Sequence, residues 1–177
     1  DGKLRWTLDA ESDVVASPNW LAGPGGTKRI VVGSWDNNLY CADFKDGRQI
    51  WKSRTGSYVN AAATVDRDNV FLGGCDCILY RVSGDSGDMK RILETTHHIA
   101  SPPAMAEGKL YLGDYDGTLH CVDAASGKVD WTYKVESPID AGAAVTNDRV
   151  VFASLDHRVY CLDLLGRKLW AFRGGDE

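Results

Sequence analysis

The chain has 177 residues, a formal net charge of −5 and 44 % hydrophobic residues, ordinary values for a globular protein able to bury a core. No apolar run approaches the ~18 residues of a membrane-spanning helix, and an acidic balance without a basic block argues against nucleic acid as the main partner. The odd count of five cysteines excludes a complete disulfide framework.

Residues 1–8 carry Gly2 and Trp6 in a Gly-x-x-x-Trp spacing and are expected to form an extra outer strand. Four units follow, over about residues 14–54, 58–94, 98–135 and 138–173. Each opens on a run of small residues (14–17, 59–62, 99–101, 139–142), expected to be the innermost strand. A β-branched run comes next (29–32, 69–72, 109–112, 149–152), which favours a buried strand. It ends in a turn centred on Asp36, Asp76, Asp116 and Asp156, each 40 residues from the last. Asp36-Asn37-Asn38 and Asp116-Gly117-Thr118 are hairpin signals. A third strand starts at Leu39, Leu79, Leu119 and Val159, and a glycine-bearing turn leads to a fourth. There Gly-x-x-x-Trp recurs as Gly47 with Trp51, Gly127 with Trp131 and Gly166 with Trp170, whereas Gly87 is followed by Arg91.

Turns every ~8–12 residues without a 3.6-residue period mean that helix is minor. One four-stranded unit of this size cannot bury both faces, and a fixed period is what radial stacking of such units produces. The expected fold is an all-β, β-propeller of four-stranded antiparallel blades, in one domain over 1–177.

The stretch Cys121-Val122-Asp123-Ala124-Ala125-Ser126-Gly127-Lys128-Val129-Asp130-Trp131 resembles the tryptophan-docking motif of PQQ-like (quinoprotein) β-propeller repeats, Ala-x-Asp-x-x-Thr-Gly-Lys-x-x-Trp. Residues 41–51 match it at Asp43, Gly47 and Trp51, and residues 163–170 match it one residue short. The resemblance implies a structural docking role for Trp6, Trp51, Trp131 and Trp170, packing between neighbouring blades, together with Gly2, Gly47, Gly127 and Gly166 of the same motif. Rings with this repeat resemble the larger propellers. Four blades and a spare outer strand therefore imply part of a seven- or eight-bladed ring, completed by further blades or by a second copy. Relatives are often exported, which implies a periplasmic or other extracytoplasmic setting.

Little in the chain reads as chemistry. Cys41, Cys121 and Cys161 share one slot of the repeat and read as small buried thiols. Cys75 and Cys77 flank Asp76, with no second pair to complete a zinc site. His97 and His98 are adjacent on an extended chain and point to opposite faces. No metal site is expected. Asp36, Asp76, Asp116 and Asp156 occur in every unit and read as turn-capping groups. Functional residues should instead break the repeat. On the loops and turns at one end those are Trp35, Tyr58, His97, His98, Tyr115, Asp140 and His157, accompanied by Asp9, Glu11, Asp13, Cys75 and Glu136. They are expected to line the mouth of a central channel and form a binding face.

Three functions follow. The first is a non-catalytic module that binds a protein partner or serves as scaffold, with no cofactor. The second, implied by the resemblance, is a fragment of a quinoprotein dehydrogenase holding PQQ and Ca²⁺. That class carries a vicinal Cys-Cys pair, which this sequence lacks. The third is a ligand-sensing domain fused to an enzyme.

Overall fold

The computed structural model describes residues 2–99 and 101–174. Sixteen strands form four separate sheets, and the single helical turn among the described residues is a 3-10 turn at Pro24–Gly26. Sheet 1 holds β1 (Asn19–Ala22), β2 (Lys28–Gly33), β3 (Asn38–Asp43) and β4 (Gln49–Arg54). Sheet 2 holds β5 (Thr64–Asp66), β6 (Asn69–Gly73), β7 (Ile78–Ser83) and β8 (Met89–Glu94). Sheet 3 holds β9 (Ala104–Ala106), β10 (Lys109–Gly113), β11 (Thr118–Asp123) and β12 (Val129–Lys134). Sheet 4 holds β13 (Ala144–Val145), β14 (Arg149–Ser154), β15 (Arg158–Asp163) and β16 (Lys168–Arg173). Within every sheet the strands pair antiparallel in chain order. Each second-to-third strand turn places one residue at positive φ, at Asn37, Cys77, Gly117 and His157.

The sheets fan about an axis. The first strands of successive sheets touch one another, which makes them the innermost. Burial occurs between sheets. Val31, Leu39, Cys41 and Trp51 of sheet 1 pack on Val70, Leu72, Tyr80 and Val82 of sheet 2. Phe71 and Leu79 pack on Leu110, Leu112 and Val122 of sheet 3. Tyr111, Leu119 and Cys121 pack on Val150, Phe152, Tyr160 and Leu162 of sheet 4. Among the described residues no such cluster joins sheet 4 to sheet 1. Two sheet faces are therefore left uncovered, one with Val14, Trp20 and Phe44 exposed and one with Trp170 and Phe172 exposed.

Two expectations are corrected. The small-residue runs are not the inner strands, which begin several residues later at β1, β5, β9 and β13; Ala100 lies outside the described residues. The runs are hooks. Val59, Ile99 and Ile139 are buried against Gly33, Gly73 and Gly113 of the preceding sheet, and a Cβ added at any of these glycines would lie 2.2 Å from a branched methyl. The backbone of each hook bonds to both neighbours: Val59 N–H donates to Ser34 O while Tyr58 O accepts from Cys75 N–H. Such a stretch joins blades rather than belonging to one. Residues 2–10 likewise form no strand. Asp1 lies outside the described residues.

Candidate functional site

The hooks and the aspartate turns together form one end of the fan. Trp35 sits in the turn after β2, and its N–H donates to Asp13 O on the first hook at 2.9 Å. Its ring stacks on Tyr58 of the second hook, centroids 5.8 Å apart and planes inclined by 27°. Tyr115, in the turn after β10, is tied by its N–H to His98 O, and the two rings lie 6.2 Å apart. Leu155 takes the same slot in sheet 4, with its N–H on Pro138 O. Trp35, Tyr58, Tyr115 and Leu155 are all exposed. Asn60 and Asp140 are exposed beside them, and Asn60 Nδ2 lies 3.2 Å from Cys75 Sγ. His97 is 4.0 Å from Asp116, which also pairs with Lys134. His157 is exposed at its positive-φ position, where its carbonyl accepts Gly174 N–H.

The turn aspartates are held by the fold. Asp36 Oδ1 accepts Asn38 N–H at 3.0 Å and Oδ2 accepts the Tyr40 hydroxyl. Asp76 with Tyr80 and Asp156 with Tyr160 repeat this pairing. Burial raises the Asp36 pKa, but the bonds from Tyr40, Asn38 and Glu11 N–H outweigh it and hold the carboxyl below its usual range. Sheet 3 departs from the pattern. His120 stands in the tyrosine slot, and Asp114 replaces Asp116 as the capping acid. Asp114 is buried, accepts Asp116 and Thr118 N–H on Oδ1, and lies 2.8 Å from His120 Nε2 through Oδ2. Here too burial raises the pKa, and His120 with the two backbone donors brings it down overall. The exchange frees Asp116 for the surface. It is visible in the sequence as Asp114 and His120 together, where other units carry Ser or Gly with Tyr.

The tryptophans sit between sheets. Trp6 Nε1 donates to Phe44 O at 3.0 Å, Trp51 to Gly84 O at 3.0 Å and Trp131 to Leu164 O at 2.9 Å. Their rings cover Gly47, Gly87 and Gly166 so closely that no Cβ fits. The indole of Trp170 meets no acceptor among the described residues, and Gly2 faces open space. At the junction lacking a tryptophan, two residues share its work. Arg81 Nη1 donates to Ala125 O at 3.0 Å. The strand bulge, which falls after Cys41, Cys121 and Cys161 elsewhere, falls between Leu79 and Tyr80 here, and Ile92 meets Gly127. A groove of roughly 240 Å³ remains beside Arg81, Phe71 and Met105.

Burial pushes the Cys41 and Cys121 thiols up to about 11, so both are poor nucleophiles. Cys75 and Cys77 are raised as well, first by burial and then by Asp76. Among the described residues no three His, Cys, Asp or Glu side chains gather as a metal site. Calcium takes about six to eight oxygen ligands, and Cys75 and Cys77 are not vicinal. These residues do not fit a quinone held with Ca²⁺.

A family model described as outer membrane protein assembly factor BamB, of the PQQ-like repeat type, matches residues 1–101 and again 90–177. The chain belongs to this family. BamB from Moraxella catarrhalis superposes with a TM-score of 0.79 at 22 % identity, over 96 % of this chain and 53 % of that one. This chain thus spans about half the length of that BamB. The computationally designed Ika4 protein superposes equally, TM-score 0.79 at 17 % identity, over 92 % of this chain and 99 % of that one. No curated protein matches.

Proposed function

We propose that this chain is a non-catalytic part of a BamB-like propeller, that it docks protein partners at the channel mouth, and that further blades cover its two open faces. The reading rests above all on the exposed mouth residues Trp35, Tyr58 and Tyr115, which break an otherwise regular repeat, whereas the repeated aspartates are spent on their own turns. An assembly factor of the outer membrane works outside the cytoplasm, and this chain is assigned the same setting.

A second copy suits the open faces poorly. Trp6 already fills the cradle over Gly47 that the partner's outermost tryptophan would need. Ala153 stands where Gly33, Gly73 and Gly113 admit a branched hook residue, so the copy's Val14 would strike its Cβ. A blade that brings a smaller hook residue fits.

Site-specific photo-crosslinking in the native organism tests the reading. A crosslinker at Tyr115 is expected to trap a component of the outer-membrane assembly machinery, while one at Arg48, on the outer turn, traps none. Binding of PQQ with Ca²⁺, seen as a shifted quinone absorbance and followed by alcohol oxidation, would overturn it in favour of a quinoprotein.

A further inference from the structure

The chemistry of the mouth narrows the partner further. Exposed apolar groups on the two end faces answer to neighbouring blades, but those at the mouth have no blade to meet. Trp35 and Tyr58 are 37 % and 52 % exposed and stacked on each other, an open aromatic surface held by backbone bonds on both sides. Stacked indole and phenol rings present negative faces that attract a cation. The surrounding charge has the same preference. The four hooks, residues 12–18, 57–63, 97–103 and 137–143, contribute Asp13 and Asp140 and no lysine or arginine. Both carboxylates are exposed, and Asp13 is bonded through its backbone to Trp35. The nearby lysines are already committed, Lys52 to Glu11 at 2.8 Å and Lys134 to Asp116. Tyr115 and Leu155 continue the mouth with apolar surface along the next two blades.

We infer that the mouth holds an extended segment of a partner protein whose mouth-facing side chains, every second residue, are arginine or lysine at its two ends and apolar between them. One cationic head lies over the Trp35–Tyr58 pair beside Asp13, a second faces Asp140, and the apolar side chains between them rest on Tyr115 and Leu155. The inference rests on the proposal that the mouth docks proteins, and it adds the charge and shape of what docks.

Calorimetric titration of the full-length protein with a nine-residue peptide carrying arginine at both ends, leucine at the third, fifth and seventh positions and serine elsewhere tests it, beside the same peptide with glutamate for arginine. The basic peptide is expected to bind, with affinity falling as salt rises, and the acidic one is not. Trp35→Ala weakens binding about fivefold, the scale of one cation–aromatic contact. Asp13→Asn with Asp140→Asn, a pair that leaves the core untouched, flattens the salt dependence. Arg48→Gln, on the exposed outer turn away from the mouth, changes neither. Equal binding of the two peptides, or full affinity in Trp35→Ala, overturns the inference. If crosslinking at Tyr115 still captures the assembly machinery in that case, only the charge assignment fails; if it captures nothing, the docking reading fails with it.

Discussion

Asp114 shows how one substitution reassigns a site. In three sheets a tyrosine hydroxyl satisfies the turn aspartate, and the shorter His120 requires an acid two residues earlier. Asp114 has its pKa lowered in the folded chain, so its contribution to stability is complete above the unfolded carboxyl pKa of about 3.9 and is lost as pH falls through the folded value. Asp114→Asn should therefore flatten the acid-side fall in stability below about pH 4, seen in denaturant titrations at successive pH values. Thiol chemistry offers a second check. Brief iodoacetamide treatment of the native protein should label Cys75 and Cys77, which are part exposed, and spare Cys41, Cys121 and Cys161, which are buried. Mass spectrometry reads the sites, and early labelling of Cys41 would contradict its place between sheets 1 and 2. The two tryptophans Trp131 and Trp170 occupy one repeat slot but differ in cover. Trp131→Ala should cost about 3 kcal/mol as a truncation between packed sheets, and Trp170→Ala in the 177-residue chain about 0.5 kcal/mol or less. Equal shifts in melting temperature would count against the uncovered face.

At the scale of elements, the strand order was legible because turn chemistry and alternation recur at a fixed spacing. The Asp-Asn-Asn turn joins β2 to β3, the Asp-Gly-Thr turn joins β10 to β11, and the β-branched runs 29–32 and 69–72 lie on β2 and β6. The inner strands were misplaced for a physical reason. A small-residue run suits a crowded axis equally well as a strand or as a hook, and only the close contact of Ile99 with Gly73 distinguishes them. The mouth residues stood out as breaks in the repeat, but the Trp35–Tyr58 stack spans two blades and has no signal along the chain. The Arg81 and Ile92 substitute for a tryptophan was likewise hidden, since it depends on a bulge moving by two residues. The hook makes its own prediction. Gly73→Ala should destabilise by about 1–3 kcal/mol through overpacking, and adding Ile99→Ala should recover part of that loss, a coupling that a double-mutant cycle of melts would measure. Strict additivity would mean that hook and glycine do not meet.

For the whole molecule, stability resides between sheets rather than within them. Three apolar junctions hold four sheets, and the outermost sheets each keep one face bare, with Trp20 and Phe44 at one end and Trp170 and Phe172 at the other. On the proposed function, further blades complete the fan and the loops at its mouth meet a partner. Hydroxyl-radical footprinting of the intact protein as the organism makes it, compared with the 177-residue chain, reads both halves of that statement at once. Trp170 and Phe172 should be reactive in the short chain and protected in the intact protein, while Trp35 and Tyr58 stay reactive in both. Equal reactivity of Trp170 in the two, or protection of Trp35 without a partner, would contradict the account.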